Sequence, residues 1–169
     1  MAASLDAIKL LREATSAPIG DCRAALEEAK GDLTKAKEIL RKKGEQTAKK
    51  REGRATEQGR IGSYVHHDGR LAALVEIDCE TDFVARSPDF QQFCRDVAMH
   101  VAAAGPRYVK AEEAASQTLN AEERKAACLL DQPFVKDPGT SVGQLLTTLI
   151  AKTGENMVIR RFSRIAIGD

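Results

Sequence analysis

The sequence predicts an α+β fold in which a small helical domain precedes an antiparallel β-sheet core packed with helices. Three observations lead to this prediction. Apolar residues recur at helical spacing through residues 1–44, the spacing changes to alternation after residue 60, and an Asp-Gly pair separates two strand-like runs. The 169 residues are 43% hydrophobic and 30% charged, which is ordinary globular usage and argues against disorder of the whole chain.

Three short helices are predicted in residues 1–44, each with one apolar face. Pro18 suits the start of the second helix, where its missing N–H is not needed, and Gly31 suits the end of that helix. Gly44 is predicted to end the third helix. The three faces consist of Leu5, Ile8, Leu10, Leu11 and Ala14, then Ile19, Cys22, Ala25, Leu26 and Ala29, then Leu33, Ala36, Ile39 and Leu40.

Residues 41–60 differ in composition from the regions on either side. They contain eight basic and three acidic residues, a net charge of +5, and they lack an apolar face. Such a segment is typical of a solvated linker helix or a contact arm. We therefore divide the chain into a three-helix domain at 1–45, a basic connector at 46–59 and an α+β core domain at 60–169.

The core domain is predicted to begin with a β-hairpin. Residues 61–67 and 71–79 form its strands around Asp68-Gly69, and the odd-numbered residues of the second strand share an apolar face. Ser87-Pro88 opens a helix with a core-facing stripe, and Ser141 caps another helix that ends at Gly154. Residues 157–167 form a last strand in which Arg161 interrupts the alternation, either through a bulge or through burial on both faces.

Residues 107–140 are the hardest part of the chain to interpret. Only residues 121–130 are predicted to be helical, and Gln132-Pro133 and Asp137-Pro138-Gly139 are predicted to break regular structure.

Several classes of function are excluded by what the sequence lacks. It has no phosphate-binding, dinucleotide-binding or serine-hydrolase motif. Its net charge is only +1 and its aromatic content 4%, so we expect no direct nucleic-acid partner. His66 and His67 would project to opposite faces of a strand, and His100 is predicted at the edge of the core. We therefore expect no catalytic residue, metal or cofactor.

The cysteines and the apolar segments indicate the cellular compartment. The four cysteines are widely spaced without a Cys-x-x-Cys pair, which favours reduced thiols. The first residues lack the features of a secretory signal, and the longest uncharged stretch, 138–151, is too short and too polar to cross a bilayer. We expect a soluble, cytoplasmic protein with no membrane partner.

One stretch of the sequence contains alternating carboxylates followed by an aromatic residue, a pattern that suggests a functional site. Asp78, Glu80 and Asp82 alternate at the end of the buried strand, and Phe83 follows them. A metal site is conceivable, but an extended chain points these carboxylates the same way without wrapping them around an ion. The pattern alone favours a helix cap at Thr81 or Asp82, with Phe83 in the core.

Residues 79–86, Cys-Glu-Thr-Asp-Phe-Val-Ala-Arg, resemble the elongation factor Ts family, the guanine nucleotide exchange factors of bacterial translation. Two further blocks support the resemblance. Residues 11–44 are similar to the family's ubiquitin-associated-like N-terminal domain, and residues 154–162, Gly-Glu-Asn-Met-Val-Ile-Arg-Arg-Phe, are similar to its C-terminal signature. The three blocks lie at the start, middle and end, so the resemblance covers nearly the whole chain.

The resemblance implies that the chain binds elongation factor Tu in its GDP-bound form and promotes release of the nucleotide, without bond-making or bond-breaking chemistry. In the family, an Asp-Phe pair enters the GTP-binding domain of Tu and disturbs its Mg²⁺ site. Here that pair is Asp82 and Phe83, flanked by Thr81 and Val84.

The resemblance also implies that the N-terminal module docks on the same domain of Tu, through Arg12, Ile19, Gly20 and Arg23. Solvated charge is the alternative for both arginines, and a core position is the alternative for Ile19. Ser16 stands where the family usually has Gly, and Gly20 where a large apolar residue is common. The contact is therefore expected to be smaller or shifted.

Length and the helical module leave further hypotheses open. Longer relatives carry two versions of the core and this chain has room for one, so a homodimer could rebuild a two-lobed core. A ubiquitin-associated-like bundle could instead serve an adaptor or a ribosome-associated protein, and residues 41–60 could bind RNA. The hairpin, residues 81–84 and the C-terminal block have no role in the adaptor hypothesis.

Overall fold

The computed structural model describes residues 3–114 and 119–168, and its α+β architecture confirms the predicted class. Contacts within the chain divide it into two compact units. A helical unit comprises Met1–Gly53 and Thr147–Glu155, and a sheet unit comprises Arg54–Leu146 and Asn156–Asp169. No helix in the described ranges is long and apolar enough to span a bilayer. The domain bounds 1–45, 46–59 and 60–169 stay a prediction.

The helical unit contains three successive helices, α1 (Leu5–Thr15), α2 (Ile19–Glu28) and α3 (Leu33–Arg51). Ser4 caps α1 by accepting the Ala7 N–H at 3.2 Å, and Asp32 caps α3. The helices bury one shared apolar cluster of Ile8, Leu11, Cys22, Ala25, Leu26, Ala29, Ala36 and Leu40. Most of the predicted faces are therefore confirmed, but five of their residues were wrongly assigned to the core and are exposed, namely Leu5, Leu10, Ala14, Ile19 and Leu33.

Gly44 does not end α3, contrary to the prediction, and the helix continues for seven more residues to Arg51. Gly44 is buried, and a Cβ atom there would meet the Cβ of Ala151 at 3.5 Å. A small residue inside the helix therefore allows close packing within this unit. The first part of the expected connector is thus a continuation of α3.

The sheet unit contains a three-stranded antiparallel sheet and most of the remaining helices. Its helices are α4 (Asp82–Arg86), α5 (Pro88–Ala104), α6 (Ala121–Ala127) and α7 (Val142–Thr153), the last of which runs into the helical unit from residue 147. The strands are β1 (Gln58–Val65), β2 (Leu71–Cys79), β3 (Pro133–Phe134), β4 (Asp137–Ser141) and β5 (Met157–Ala166). The sheet order is β1-β2-β5, and β3 pairs with β4.

The predicted hairpin is confirmed as β1 and β2, with β1 starting earlier than expected. Gly69 closes the turn at φ 69°, a left-handed conformation that glycine adopts readily, and donates its N–H to the His66 carbonyl at 2.8 Å. Alternate residues of β2 from Ala73 to Cys79 are buried, and α5 packs against this face with its predicted stripe of Phe90, Phe93, Cys94, Val97 and Val101.

A β-bulge in β5 explains the interrupted alternation of the last strand. Glu76 pairs with Arg161 and Ile77 pairs with Ile159, so Arg160 is the extra residue. Arg160 lies 2.9 Å from Asp78, and Arg161 lies 2.5 Å from Glu76. Of the two explanations left open by the sequence, the bulge is the one observed.

His100 is fully buried, so its prediction at the edge of the core was wrong. The N–H of Val135 donates to its Nδ1 at 3.3 Å, which leaves Nε2 to donate to Gln132 Oε1 at 2.8 Å. Burial lowers the pKa of His100 and keeps the ring neutral. Its partners lie in the region 107–140 that was hardest to interpret, of which residues 115–118 fall outside the described residues. The predicted helix there is confirmed as α6, but the predicted break at Asp137-Pro138-Gly139 was wrong because these residues belong to β4.

The four cysteines are all buried, and none of them forms a disulfide bond, as the sequence predicted. Burial raises the pKa of the Cys94 thiol to about 12. Thiols of this kind act as small apolar groups that fill the core.

Candidate functional site

The segment from Thr81 to Val84 begins two residues after the end of β2. Thr81 has extended backbone angles, φ −126° and ψ 155°, and its side chain accepts the N–H of Val84 at 3.4 Å. The helical turn α4 then starts at Asp82. Thr81 is therefore the N-cap, which confirms one half of the cap interpretation.

Phe83 is 83% exposed, so its predicted place in the core was wrong. The physical reason is helical geometry. Residues two apart in a helix lie on nearly opposite sides, and the small Ala85 occupies the inward side with 8% exposure. The ring of Phe83 is consequently held in solvent, where it is available to contact a partner.

Asp82 and Val84 complete the same turn. The carboxylate of Asp82 lies 3.0 Å from the guanidinium of Arg86, and the side chain of Asp82 is about half exposed while that of Arg86 is mostly exposed. The carbonyl of Val84 accepts hydrogen bonds from the N–H and the hydroxyl of Ser87, at 2.9 and 2.8 Å. Ser87 also caps α5, so the turn that carries Phe83 is joined to the long helix that follows.

Four polar contacts hold the chain just before this turn. The thiol of Cys79 donates to the Thr81 carbonyl at 3.2 Å. Glu80 Oε1 accepts the backbone N–H of Asn156 at 2.6 Å, and Asn156 Nδ2 donates to the Arg54 carbonyl at 2.8 Å. Arg54 returns to Glu80, with its Nη1 3.5 Å from Oε2.

Sequence reasoning missed Glu80, Asn156 and Arg54 as parts of this site. Glu80 was noted only as one of three alternating carboxylates, and Arg54 only as one of the basic residues of 41–60. Glu80 and Asn156 also belong to two blocks that resemble the same family. Among the residues that the structure describes, no group of three or more His, Cys, Asp or Glu side chains is arranged to hold a metal ion.

The second predicted group lies in the helical unit. Arg12 is exposed near the end of α1, and Ile19, Gly20 and Arg23 are exposed in the first turns of α2. Ile19 is 56% exposed, which removes the core alternative for this residue. A Cβ atom on Gly20 would meet no atom within 4 Å. Arg23 lies 3.0 Å from Glu27, so solvated surface charge stays an alternative for the arginines.

The turn between α1 and α2 explains why glycine suits position 16. Ser16 has φ 55° and ψ 14°, a left-handed conformation that costs a side-chain-bearing residue free energy. Its N–H donates to the Arg12 carbonyl at 2.7 Å and ends α1. The structure thus brings Ile19, Gly20 and Arg23 together in one unit and Thr81 to Val84 together in the other.

Known proteins resemble this chain over nearly its whole length. The family model described as elongation factor TS matches residues 7–127. Elongation factor Ts of Rubrobacter xylanophilus is 44% identical over 97% of this chain and 98% of its own length. The Solibacter usitatus protein of that name is 43% identical over 96% and 90%, and that of Thermotoga neapolitana is 42% identical over 100% and 99%. The chain therefore belongs to the elongation factor Ts family.

Proposed function

We propose that this chain is the guanine nucleotide exchange factor of elongation factor Tu in translation elongation, and that it binds the GDP-bound form and promotes release of GDP. Membership of the elongation factor Ts family supports the exchange role. The observation that carries the mechanism is the exposure of Phe83, an aromatic ring held in solvent on a capped turn.

Phe83 is the wedge in this mechanism. Burying a phenylalanine side chain contributes about 1.5–3 kcal/mol. Because the turn already holds the ring in an accessible position, little free energy is lost in ordering it when it enters a pocket of the GTP-binding domain of Tu. The free energy gained there keeps displaced elements of Tu away from their nucleotide-binding positions.

Asp82 supplies the electrostatic part. In a GTP-binding protein, Mg²⁺ joins the phosphate oxygens to the protein. A carboxylate oxygen is a ligand that Mg²⁺ accepts, so a carboxylate brought beside the ion competes with its existing ligands and weakens the hold on GDP. The accessible position of Asp82 next to Phe83 supports this role.

Exchange then follows from thermodynamic linkage. If the factor and GDP weaken each other's binding to Tu, the complex of all three loses GDP quickly, and an incoming nucleotide expels the factor in turn. No covalent bond is made or broken. Thr81, Asp82, Phe83 and Val84 are therefore binding residues, and the mechanism needs no catalytic group or cofactor in this chain.

The helical unit gives a second contact with the same domain of Tu. We assign this contact to Arg12, Ile19, Gly20 and Arg23. The exposed Ile19 supplies its apolar centre, and the open space around Gly20 leaves room for a partner to approach the backbone. Because Gly20 has no side chain to bury, this contact contributes less than Phe83 does.

We also propose that the chain forms a homodimer. One face of the sheet carries adjacent exposed apolar residues, since Val65 and Ile165 both pair with Ala72, and Leu74 lies next on β2. A second copy of the chain could cover this face and rebuild a two-lobed core. Sedimentation equilibrium at micromolar concentration would show a dimer that Leu74→Lys dissociates, and a strict monomer would refute this part.

The rival functions predict different dependences of binding affinity on salt concentration. RNA binding through the basic residues of 41–60 would weaken steeply with ionic strength. Binding to Tu through an apolar wedge would weaken far less. An adaptor of the ubiquitin-associated type would keep its affinity after loss of the sheet-unit side chains, whereas the proposed function depends on them. The cytoplasmic location stays a prediction.

The test of the proposed function is release of a fluorescent GDP analogue from elongation factor Tu, followed by stopped flow. We expect addition of this chain to accelerate release strongly in the presence of Mg²⁺. Unchanged release from Tu that is confirmed to be active would refute the exchange function and favour the adaptor alternative.

A further inference from the structure

The chain that leads to Phe83 is fixed by a partner far away in the sequence. Cys79 and Met157 form the last pair of β2 and β5, so Glu80 and Asn156 are the next two positions along the strands. Instead of a backbone carbonyl, the carboxylate of Glu80 accepts the N–H of Asn156, at 2.6 Å. The side chain of Glu80 therefore extends the pairing by one step while its backbone turns away toward α4.

The other end of this contact is anchored as well. Asn156 is 6% exposed, and its side-chain amide donates to the carbonyl of Arg54 at 2.8 Å. The guanidinium of Arg54 lies 3.5 Å from the second oxygen of Glu80. Three segments of the sheet unit thus meet at Glu80, and hydrogen bonds shielded from water are stronger than those on the surface.

The short turn needs such support. α4 contains only five residues, and a helix of that length does not persist by its own backbone hydrogen bonds. The Thr81 cap bond is long, at 3.4 Å, so it is a weak constraint. The inward packing of Ala85 sets the phase of the turn, and contacts at its two ends help to set the direction of the Phe83 ring. At the first end, Glu80 and Cys79 supply such contacts.

We propose that Glu80 is a positioning residue which, through Asn156, fixes the direction in which Phe83 enters the partner. The proposal rests on the proposed function because it concerns how Phe83 acts there. Glu80 itself need not touch Tu. Its loss is expected to leave the ring exposed but free to take several directions, so that fewer encounters lead to insertion.

The first measurement concerns the chain alone. The sequence contains no tryptophan and two tyrosines, so Phe83→Trp introduces a single tryptophan at the tip of the turn, whose fluorescence is excited selectively at wavelengths that tyrosine does not absorb. Time-resolved anisotropy then reports nanosecond motion of that side chain. We expect Glu80→Ala to increase the amplitude of local motion, and Glu80→Gln to leave it near the parent value because the amide oxygen can still accept the Asn156 N–H.

Asp96→Ala is the matched control. Asp96 lies in the middle of α5, is 22% exposed in its side chain against 21% for Glu80, and pairs with Lys136 at 2.7 Å. Its loss removes a carboxylate of similar burial from the same unit without touching the turn. We expect unchanged motion at position 83. Equal motion in the parent and in Glu80→Ala would overturn the proposal. An increase in Glu80→Gln or in Asp96→Ala as large as that in Glu80→Ala would also overturn it.

The second measurement is a double-mutant cycle on GDP release from Tu. We expect Glu80→Ala to lower the exchange rate about fivefold in the parent, and by less than about twofold when Phe83 is already alanine. A merely structural role would lower the rate by the same factor in both backgrounds, and that result would overturn the proposal. If the parent does not accelerate GDP release, the proposed function fails, and the anisotropy measurement still decides whether Glu80 positions residue 83.

Discussion

Phe83 and Ile19 are both exposed apolar side chains near the start of a helix, yet the chain supports them in different ways. The turn under Phe83 is held by a side-chain cap and by Glu80, whose partner Asn156 is 76 residues away. The helix that begins at Ile19 has Pro18 at its N-cap and no side-chain cap bond. Its supports are backbone bonds from Asp21 and Cys22 to the Pro18 carbonyl, the burial of Cys22 in the helical-unit core, and an ion pair of Asp21 with Lys43 at 2.7 Å.

This difference indicates what each region contributes. A side chain fixed by long-range contacts keeps its direction when a partner resists it, which a wedge requires. A side chain at a helix start without a side-chain cap suits a docking surface, where several residues share a modest free energy. We therefore assign nucleotide release to Phe83 and its neighbours, and additional affinity to the surface around Ile19.

The largest effect is expected for Phe83→Ala. Loss of a central aromatic contact typically costs about 2 kcal/mol or more, which corresponds to about a 30-fold lower second-order rate constant for GDP release. Stopped flow with a fluorescent GDP analogue measures it. Leu5→Ala is the matched control, since Leu5 is 76% exposed and lies outside both sites. An equal loss in both variants would contradict the assignment.

A smaller effect is expected for Asp82→Ala. Its contribution is electrostatic and shared with neighbouring groups, so we expect about a fivefold loss of exchange. Arg86→Ala separates this role from the exposed Asp82–Arg86 ion pair, because it breaks the pair and keeps the carboxylate. We expect exchange near the parent rate in Arg86→Ala. Parent activity in Asp82→Ala would remove Asp82 from the mechanism.

Ile19→Ala is expected to act mainly on affinity. Shortening a side chain in a shared surface should raise the apparent dissociation constant for Tu about threefold, with little change in the rate of GDP release from the complex. A titration of exchange rate against factor concentration separates the two quantities. A loss of maximal rate as large as that of Phe83→Ala would show that the two regions do not differ as described.

Gly44→Ala is expected to leave exchange unchanged. The new Cβ would meet Ala151 at an ordinary contact distance of 3.5 Å, and alanine inside a helix is more stable than glycine by about 0.5–1 kcal/mol. Urea denaturation should therefore show a higher free energy of unfolding. A destabilised variant would mean that the packing against Ala151 tolerates no added atom.

The sequence predicted the hairpin, the helix stripes and the motif that contains Phe83, because these depend on residues close together in the chain. It did not predict that Gly44 lies inside a helix, since the reason is contact with Ala151, 107 positions away. His100 was misplaced because its partners Gln132 and Val135 lie in a region without clear periodicity.

The candidate site shows the same limit. Phenylalanine usually lies in the core, so composition favoured a buried Phe83. Its exposure results from the phase of α4, in which Ala85 takes the inward side. The contact between Glu80 and Asn156 joins two strands whose pairing register is known only from the structure. The missing information was the phase of a short helix for Phe83 and long-range geometry for Glu80 and Asn156.

The central claim is that Phe83 expels GDP and does not merely add affinity. The measurement that tests it is the rate of GDP release from Tu at saturating factor concentration, for the parent and for Phe83→Ala. We expect the maximal rate of the variant to be at least about tenfold lower, because the interaction is made where the nucleotide is displaced. The claim would be contradicted if Phe83→Ala reached the parent's maximal rate and only required a higher concentration to do so. Phe83 would then be a docking residue.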